Sequence, residues 1–291
     1  MGNKKDSLGD RMKRYENVPK VSLVRRMPVI IRLDGKAFHT FTRGFVKPFD
    51  SLLMQTMNDT MKYLCENIQG CVMAYTQSDE ITLVLIDYQT LTSDAWFDNN
   101  VEKMCSISAS MATLAFNAAW RRNVDAWAAS RIAGWYDGGT NDPDGVDQAA
   151  LKQAELYVSR FDRALFDARA FNVPKEEVMN CLVWRQQDAT RNSIQSAGQA
   201  QFSHKQLMGK SCNEIQDMLF TQKGINWNDY PTSCKRGTCC IKKPVTFDAR
   251  DKSGKVTGVC CRDKWVIDTE IPVFNRESNY INSRVLIGDE S

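Results

Sequence analysis

The chain has 291 residues, of which 43% are hydrophobic, 25% charged and 10% aromatic. This composition excludes a largely disordered or low-complexity chain, and the length fits one large domain or two modest ones. The net charge of +3 conceals an uneven distribution: residues 1–50 carry a net +7, residues 234–264 a net +6 and the remainder −10. Two basic segments on an acidic body indicate either a polyanionic partner or solvated basic faces.

Two features of the sequence bear on its surroundings in the cell. No stretch approaches the roughly 18 apolar residues that a membrane span needs, and the first residues lack the apolar core of a signal peptide. We therefore expect a cytoplasmic protein without a membrane partner. The ten cysteines are expected to be reduced thiols, and their adjacent pairs do not match the C-x-x-C spacing of zinc sites.

The first 120 residues predict strands and helices in alternation. Apolar runs predict strands over 28–35, 71–76 and 81–86. Apolar residues over 49–68 recur at helical spacing, and a second helix is predicted over about 98–121. The order β-α-β-β-α indicates an α+β fold close to a split βαβ sandwich.

A run of turn-forming residues, GGTNDPDG, lies in a segment over 122–148 that we predict to be irregular. It divides residues 1–148 from 149–291, although the two parts form one continuous domain if this segment is a long insertion. The elements predicted beyond it are a strand over 165–171, a helix from Asn172 to about Phe202, a shorter helix capped by Ser211 and Glu214, and a β-hairpin of residues 237–247 and 256–268.

Two aspartates stand at the ends of predicted strands. Asp34 ends the first strand, and Asp79 lies at the hairpin tip between the second and third. The first and second strands can lie side by side in this arrangement, which would bring both carboxylates to one sheet edge. Such oxygens hold Mg²⁺, and two metals would assist an in-line phosphoryl or nucleotidyl displacement. Glu80 is a candidate third ligand, and turn formation is the alternative role of each aspartate.

Residues near these aspartates suit a metal-bound triphosphate. Lys36 and Lys47 follow Asp34, and Ser78 precedes Asp79. Gly35 lets the backbone come close to a phosphate. His39 could contact a nucleotide or move a proton, with a hydrogen-bonded structural histidine as the alternative.

Two further groups of residues are candidates for RNA contact. Arg185, Asp188 and Arg191 fall on one side of the predicted long helix, a face that suits either RNA or solvent. Lys235 and Arg236 belong to the second basic segment, where we expect them to hold an RNA backbone.

An ordered set of five motifs resembles the tRNA(His) guanylyltransferase superfamily, which adds nucleotides to RNA 5′ ends in the 3′–5′ direction. The motifs are RLDGKAFHTF (32–41), KPFD (47–50), TQSDE (76–80), FDAR (166–169) and WRQQD (184–188). Each motif is weak alone, whereas the ordered set is specific. The resemblance implies a polymerase palm-like (ferredoxin-like βαββαβ) catalytic core with added helices and a C-terminal β-hairpin region. It also implies a homotetramer.

The same resemblance implies the residues of the site. Asp34 and Asp79 would be catalytic, and together with the Gly35 carbonyl they would hold two or more Mg²⁺ ions. ATP and GTP or other nucleoside triphosphates would be substrates, and tRNA or tRNA-like RNA the partner. The implied nucleotide-binding residues are Lys36, Ala37, Phe38, His39, Lys47, Asp50, Ser78 and Lys103.

One motif departs from the family pattern. Members dedicated to tRNA(His) carry a His-Ile-Asn-Asn run after WRQ-x-D, where this sequence reads Thr190-Arg191-Asn192-Ser193. Residues 192–211 and 224–238 look instead like a guanylyltransferase-like branch that resembles template-dependent polymerases repairing 5′-truncated tRNA. We expect Asn192, like Arg185, to contact RNA. The alternatives are a strict tRNA(His) guanylyltransferase adding a single G, a palm-domain nucleotide cyclase and a nonenzymatic RNA-binding protein.

Overall fold

One sheet runs through the computed structural model, which describes residues 7–132, 148–250, 253–275 and 279–286. Its strands are β1 (Val29–Gly35), β2 (Cys71–Gln77), β3 (Glu80–Leu85), β4 (Phe166–Asn172), β5 (Thr238–Arg250) and β6 (Val256–Asp268). Their order is β4-β1-β3-β2-β5-β6, and every neighbouring pair is antiparallel. Helices combined with an antiparallel sheet confirm the predicted α+β class.

Ten α-helices accompany the sheet in the described part of the chain. They are α1 (Ser7–Asn17), α2 (Phe38–Phe41), α3 (Ser51–Asn67), α4 (Val101–Arg131), α5 (Gln148–Val158), α6 (Lys175–Gln201), α7 (His204–Leu207), α8 (Cys212–Lys223), α9 (Thr232–Arg236) and α10 (Asn279–Val285). None of these described helices is both long and apolar enough to cross a membrane. The predicted capping box at the start of α8 forms between Ser211 and Glu214.

The first four strands and the helices between them follow the order β-α-β-β-α-β, with β4-β1-β3-β2 as the sheet order. We expected the first and second strands to be able to lie side by side, but β3 lies between them and pairs with both. The reason is the short turn after β2, which returns the chain beside β2 and leaves β1 to pair with the second arm of the hairpin. The likeness to a polymerase palm stays a prediction.

Helix α4 is longer than we predicted, because residues 122–131, expected to be irregular, continue it. The signal was present in the sequence: Trp120, Val124 and Ala128 recur every four residues, and all three are fully buried. The turn-forming run over 138–145 lies outside the described residues. Strands from both sides of residue 148 nevertheless join in the same sheet.

The sheet packs helices on both faces. On one face, Ile31 and Leu33 of β1 join a core with residues of α3 and α4. On the other, Ile30 joins a second core with Val178 and Leu182 of α6. This alternation follows from the two-residue period of a strand and explains why the first strand reads as a continuous apolar run.

Candidate active site

The carboxylates of Asp34 and Asp79 come from two neighbouring turns at one edge of the sheet. β1 ends at Gly35, and the two-residue turn of Ser78 and Asp79 joins β2 to β3. The backbone N–H of Gly35 donates a 3.0 Å hydrogen bond to the carbonyl oxygen of Asp79, and Asp34 lies opposite Glu80 in the β1–β3 pair. The structure thus brings together two carboxylates that are distant in the sequence.

Electrostatics at this edge disfavour two bare carboxylates. Burial, followed by the charge of Asp34, raises the pKa of Asp79, whereas a hydrogen bond from Ser78 lowers it. A hard divalent cation would relieve this repulsion, and carboxylate and carbonyl oxygens are the ligands that Mg²⁺ prefers. The described residues contain no cluster of three or more His, Cys, Asp or Glu side chains suited to a metal. Two carboxylates and the Gly35 carbonyl therefore fit an ion that also takes substrate and water oxygens.

Packing of Phe38 requires a glycine at position 35. Phe38 is 3% exposed; its ring stacks on Phe41, meets Phe116 edge to face and contacts Phe166 at a tilt. A Cβ added to Gly35 would lie 2.3 Å from the Phe38 ring, far inside contact distance. We predicted that Phe38 contacts nucleotide, but its ring belongs to the hydrophobic core, which leaves only its backbone for that role.

A cavity of about 420 Å³ opens beside the two carboxylates. Its lining residues are Asp34, Gly35, Ala37, Phe38, His39, Thr42, Leu53, Ser78 and Asp79. Ala37 and His39 are exposed, as is the neighbouring Lys36. Ala37 has a left-handed φ of 56° and its carbonyl accepts from the N–H groups of Thr40 and Phe41 in α2, which leaves the N–H groups of Phe38 and His39 without an acceptor among the described residues. Such groups suit phosphate oxygens.

Two residues of the KPFD motif have different surroundings. Lys47 is exposed, whereas Asp50 is buried and caps α3 by accepting a 3.0 Å hydrogen bond from the Leu53 N–H. The second oxygen of Asp50 accepts hydrogen bonds from the Val46 N–H, at 3.0 Å, and from the Tyr157 hydroxyl, at 2.6 Å. These contacts show that Asp50 orders the loop that carries Lys47, and the predicted nucleotide contact of Asp50 stays a prediction.

Lys103 lies away from the carboxylates. It is in the first turn of α4. Just before that helix, the carbonyl of Asn99 accepts a hydrogen bond from the Leu23 N–H. The part of α4 nearest the site is around Thr113. The Thr113 hydroxyl accepts a hydrogen bond from the N–H of Phe166, and Phe166 pairs with Gly35 in the sheet. From Lys103 to Thr113 the helix rises about 15 Å. The predicted triphosphate contact of Lys103 is therefore not formed beside Asp34 within this chain.

A second cavity, of about 160 Å³, adjoins the carboxylates and shares Leu53 and Ser78 with the first. Its polar lining residues are Asp50, Asn58, Thr76, Gln77, Ser78, Asn192, Ser193, Ser196, Ser233 and Thr238. Methionine and leucine side chains of α3 form its apolar wall. An apolar wall facing amide and hydroxyl groups suits a nucleobase. We name it the central cavity.

Comparison with known proteins decides the family. A family model described as tRNAHis guanylyltransferase (Thg1) matches residues 9–174, more than half of the chain. The chain belongs to the tRNA(His) guanylyltransferase (Thg1) family. The superfamily that the five motifs predicted is thereby confirmed, and so is the nucleotidyltransferase class.

Solved structures of a bacterial tRNA(His) guanylyltransferase (Thg1)-like protein are similar over nearly the whole chain. Its complex with ATP is 39% identical with a TM-score of 0.75, and its complex with GTP is 37% identical with a TM-score of 0.70. Both matches cover 96% of this chain and 99% of the other. The tRNA(His) guanylyltransferase of Schizosaccharomyces pombe is 26% identical over 247 residues, which cover 80% of each protein.

Glu80, next to Asp79, forms ion pairs with two arginines. Its Oε1 lies 2.8 Å from Arg185 Nε, and its Oε2 lies 3.9 Å from Arg32 Nε. Burial raises the pKa of Glu80, and the two arginines oppose that rise. We predicted Glu80 as a third metal ligand, but both of its oxygens face guanidinium groups, so we leave it out of the proposed ligand set.

Arg185 is likewise engaged inside the protein. Its side chain is 8% exposed and also contacts Asp188 at 2.6 Å through its second guanidinium nitrogen. Asp188 is in turn paired with Arg191, whose side chain is 59% exposed. We predicted that Arg185 contacts RNA, but its burial between two carboxylates gives it a structural role beside the site.

The remaining predicted RNA contacts lie around the central cavity. Asn192 lines it. The ammonium of Lys235 donates to the Asn228 carbonyl and lies 5.8 Å from the centre of the Trp227 ring. The carbonyl of Arg236 accepts a 2.8 Å hydrogen bond from the Tyr75 hydroxyl. RNA contact by these residues stays a prediction.

Several residues of the cavity walls were not predicted from the sequence. Asn58 on α3 accepts a hydrogen bond from Thr238 and lines the central cavity. In the sequence, Asn58 stands out only as a polar residue beside Met57, whose side chain is buried. Tyr157 contacts Asp50 in space although 107 residues separate them in the chain, and no local pattern indicates such a contact.

Proposed function

We propose that the protein is a Mg²⁺-dependent 3′–5′ nucleotidyltransferase that adds nucleotides to the 5′ end of tRNA, and that its task is templated repair of 5′-truncated tRNA. The observation that carries this proposal is the pairing of Asp34 and Asp79 at one sheet edge beside a cavity. Membership of the Thg1 family supports the reaction class. The cytoplasmic location and the homotetramer remain part of the proposal.

The donor set fits a hard divalent cation, as the raised pKa of Asp79 next to Asp34 indicates. Asp34, Asp79 and the Gly35 carbonyl would hold it. When bound, Mg²⁺ neutralises the charge of phosphate oxygens during phosphoryl transfer. The Gly35–Asp79 hydrogen bond fixes the spacing of the two turns before substrate arrives, which reduces the reorganisation that the reaction requires.

The chain's other residues bind and orient the substrates. Lys47 and Ser78 would hold triphosphate oxygens, and the polar wall of the central cavity, including Asn192, would receive a nucleobase. In the proposed sequence, the 5′-monophosphate of the RNA first attacks the α-phosphorus of ATP, which gives an adenylylated 5′ end and releases pyrophosphate. The 3′-hydroxyl of the incoming nucleotide then attacks the activated phosphorus, and AMP leaves. An RNA that begins as a 5′-triphosphate needs no activation, and pyrophosphate is then the leaving group.

One observation favours repair over strict addition of one G to tRNA(His). The segment Thr190-Arg191-Asn192-Ser193 replaces the His-Ile-Asn-Asn run of dedicated enzymes.

Truncated tRNAs that differ only in the 3′-strand nucleotide opposite the missing position test this choice. Repair predicts that the added nucleotide follows the template in each tRNA. Addition of G irrespective of template, confined to tRNA(His), would instead identify a strict guanylyltransferase. Formation of a cyclic nucleotide without RNA would indicate a cyclase, and binding without incorporation of any nucleotide would indicate a nonenzymatic RNA-binding protein.

A further inference from the structure

A third cavity, of about 490 Å³, lies between the C-terminal half of α6, the segment around α7 and the loop before α3. We name it the α6–α7 cleft. Its polar lining residues are Lys47, Gln195, Gln199, His204 and Lys210. None of its lining residues belongs to the carboxylate cavity or to the central cavity.

The chemistry of the cleft matches a nucleotide. No acidic side chain of the described residues lines it. Lys47 forms no ion pair with a described residue, whereas Lys210 contacts Glu214 at 2.9 Å. Phe202, 8% exposed, and Met208, 71% exposed, supply apolar surface. Cations suit a phosphate, apolar surface suits a base, and glutamine amides match the hydrogen-bonding edge of an unpaired base.

The position of the cleft favours an RNA strand over a free nucleotide. The carboxylate cavity and the central cavity share Leu53 and Ser78. The cleft and the central cavity lie along the same part of α6, where Gln195 lines the cleft and Ser196 lines the central cavity. A polynucleotide can occupy successive cavities, whereas a single nucleoside triphosphate bound at the carboxylates occupies only the nearest.

We propose that the α6–α7 cleft binds an unpaired nucleotide of the RNA substrate, with its base against Met208 and its phosphate near Lys210. This inference rests on the proposed function for its choice of RNA. It assigns a role to residues 195–210, which lie in the stretch that departs from the dedicated tRNA(His) enzymes. The cleft would therefore help to determine which RNA ends are accepted.

Matched double variants test the cleft. Gln199→Ala with Lys210→Ala removes one amide and one charge from it, whereas Gln201→Ala with Lys205→Ala removes the same groups from exposed positions outside it. All four side chains are exposed, so both variants keep the fold. The probes are one RNA stem with a single-stranded 3′ overhang, the same stem with a blunt end, and GTP. All are titrated at one fixed salt concentration.

Wild-type protein should bind the overhang RNA more tightly than the blunt RNA, and the cleft variant should lose about tenfold in affinity for the overhang RNA alone. The control variant should change by less than about twofold, because it keeps the cleft and alters only general charge. Equal loss in both variants, or no loss in either, overturns the proposal. Weaker GTP binding with unchanged RNA binding also overturns it, because the cleft would then serve a free nucleotide.

Binding measured in an Asp34→Ala background separates this proposal from the proposed function. The cleft assignment depends on affinity and not on chemistry. If wild type adds no nucleotide but the cleft variant loses the preference for overhang RNA, the proposed function is refuted and the cleft assignment stands. Nucleotide addition by a wild type without overhang preference would refute the cleft alone.

Discussion

The N–H of Gly35 donates a 3.0 Å hydrogen bond to the carbonyl oxygen of Asp79, which ties the turn after β1 to the hairpin tip between β2 and β3. This bond sets the separation of the two carboxylate-bearing turns. The Phe38 ring of the core approaches the same residue so closely that a Cβ at position 35 would lie 2.3 Å from it. Core packing and the candidate metal site are therefore coupled through one residue without a side chain.

Replacing Gly35 tests that coupling. In Gly35→Ala, the new Cβ would lie 2.3 Å from the Phe38 ring, so the turn must shift or the aromatic cluster must repack. We expect a loss of about 1–3 kcal/mol in unfolding free energy and a loss of about 100-fold in nucleotide addition, since small displacements of reacting groups are costly. Gly258→Ala is the control, because nothing lies within 4 Å of its added Cβ. Activity within threefold of wild type in Gly35→Ala would count against the coupling.

Neutralising Asp79 should stabilise the protein while abolishing its activity. Burial and the nearby Asp34 raise the pKa of Asp79, so its ionisation costs folding free energy. That cost is present above the raised pKa and disappears as pH falls below the ordinary carboxylate range. Without divalent cations at pH 7, Asp79→Asn should melt a few degrees higher than wild type.

Two further readouts test the same variant. The difference in melting temperature should shrink as pH falls through the raised pKa of Asp79 and vanish below the ordinary aspartate range, because Asp79 is then protonated in the folded and the unfolded state. Addition of Mg²⁺ should stabilise wild type and leave Asp79→Asn unchanged. A lower melting temperature for Asp79→Asn at pH 7 without metal would contradict the electrostatic account.

Breaking the Glu80–Arg185 pair should destabilise the fold. Arg185→Met leaves the half-buried carboxylates of Glu80 and Asp188 without their shared cation, which costs about 3 kcal/mol. Adding Glu80→Gln should recover at least about 1 kcal/mol of this loss in a urea-unfolding double-mutant cycle. Arg191→Met, at an exposed position, should cost about 1 kcal/mol or less. If Arg185→Met is as stable as wild type but binds RNA more weakly, Arg185 contacts RNA as the sequence predicted.

Tyr157 should control the loop that carries Lys47. Its hydroxyl donates a 2.6 Å hydrogen bond to Asp50, which also accepts from the Val46 N–H. Tyr157→Phe should cost about 1–3 kcal/mol and raise the KM for nucleotide more than it lowers kcat. Tyr63→Phe is the control, because the Tyr63 hydroxyl forms no hydrogen bond with the described residues. Unchanged stability and KM in Tyr157→Phe would refute this role.

Local patterns predicted most of the fold. Apolar runs identified β1, β2 and β3, and the spacing of serine and glutamate identified the start of α8. The order of elements led us to propose that Asp34 and Asp79 meet, but through a pairing of β1 with β2, whereas they meet because β1 pairs with β3. These features depend on interactions between residues close in the chain, or on strand connections that few topologies permit.

Contacts between distant residues were not predictable in the same way. Glu80 meets Arg185 only because α6 packs across the sheet face that carries Glu80. Phe38 belongs to the core because α4 and β4 supply Phe116 and Phe166. A motif gives the residue type at a position but not whether its side chain faces substrate or core.

The most direct test of the account is nucleotide addition by the two aspartate variants. Wild type, Asp34→Ala and Asp79→Ala are incubated with 5′-truncated tRNA, Mg²⁺, ATP and each labelled nucleoside triphosphate, and tRNA binding is measured in parallel. The account predicts 5′ extension by wild type and none by either variant, with tRNA affinity within about twofold of wild type. Full extension by Asp34→Ala or Asp79→Ala would contradict it.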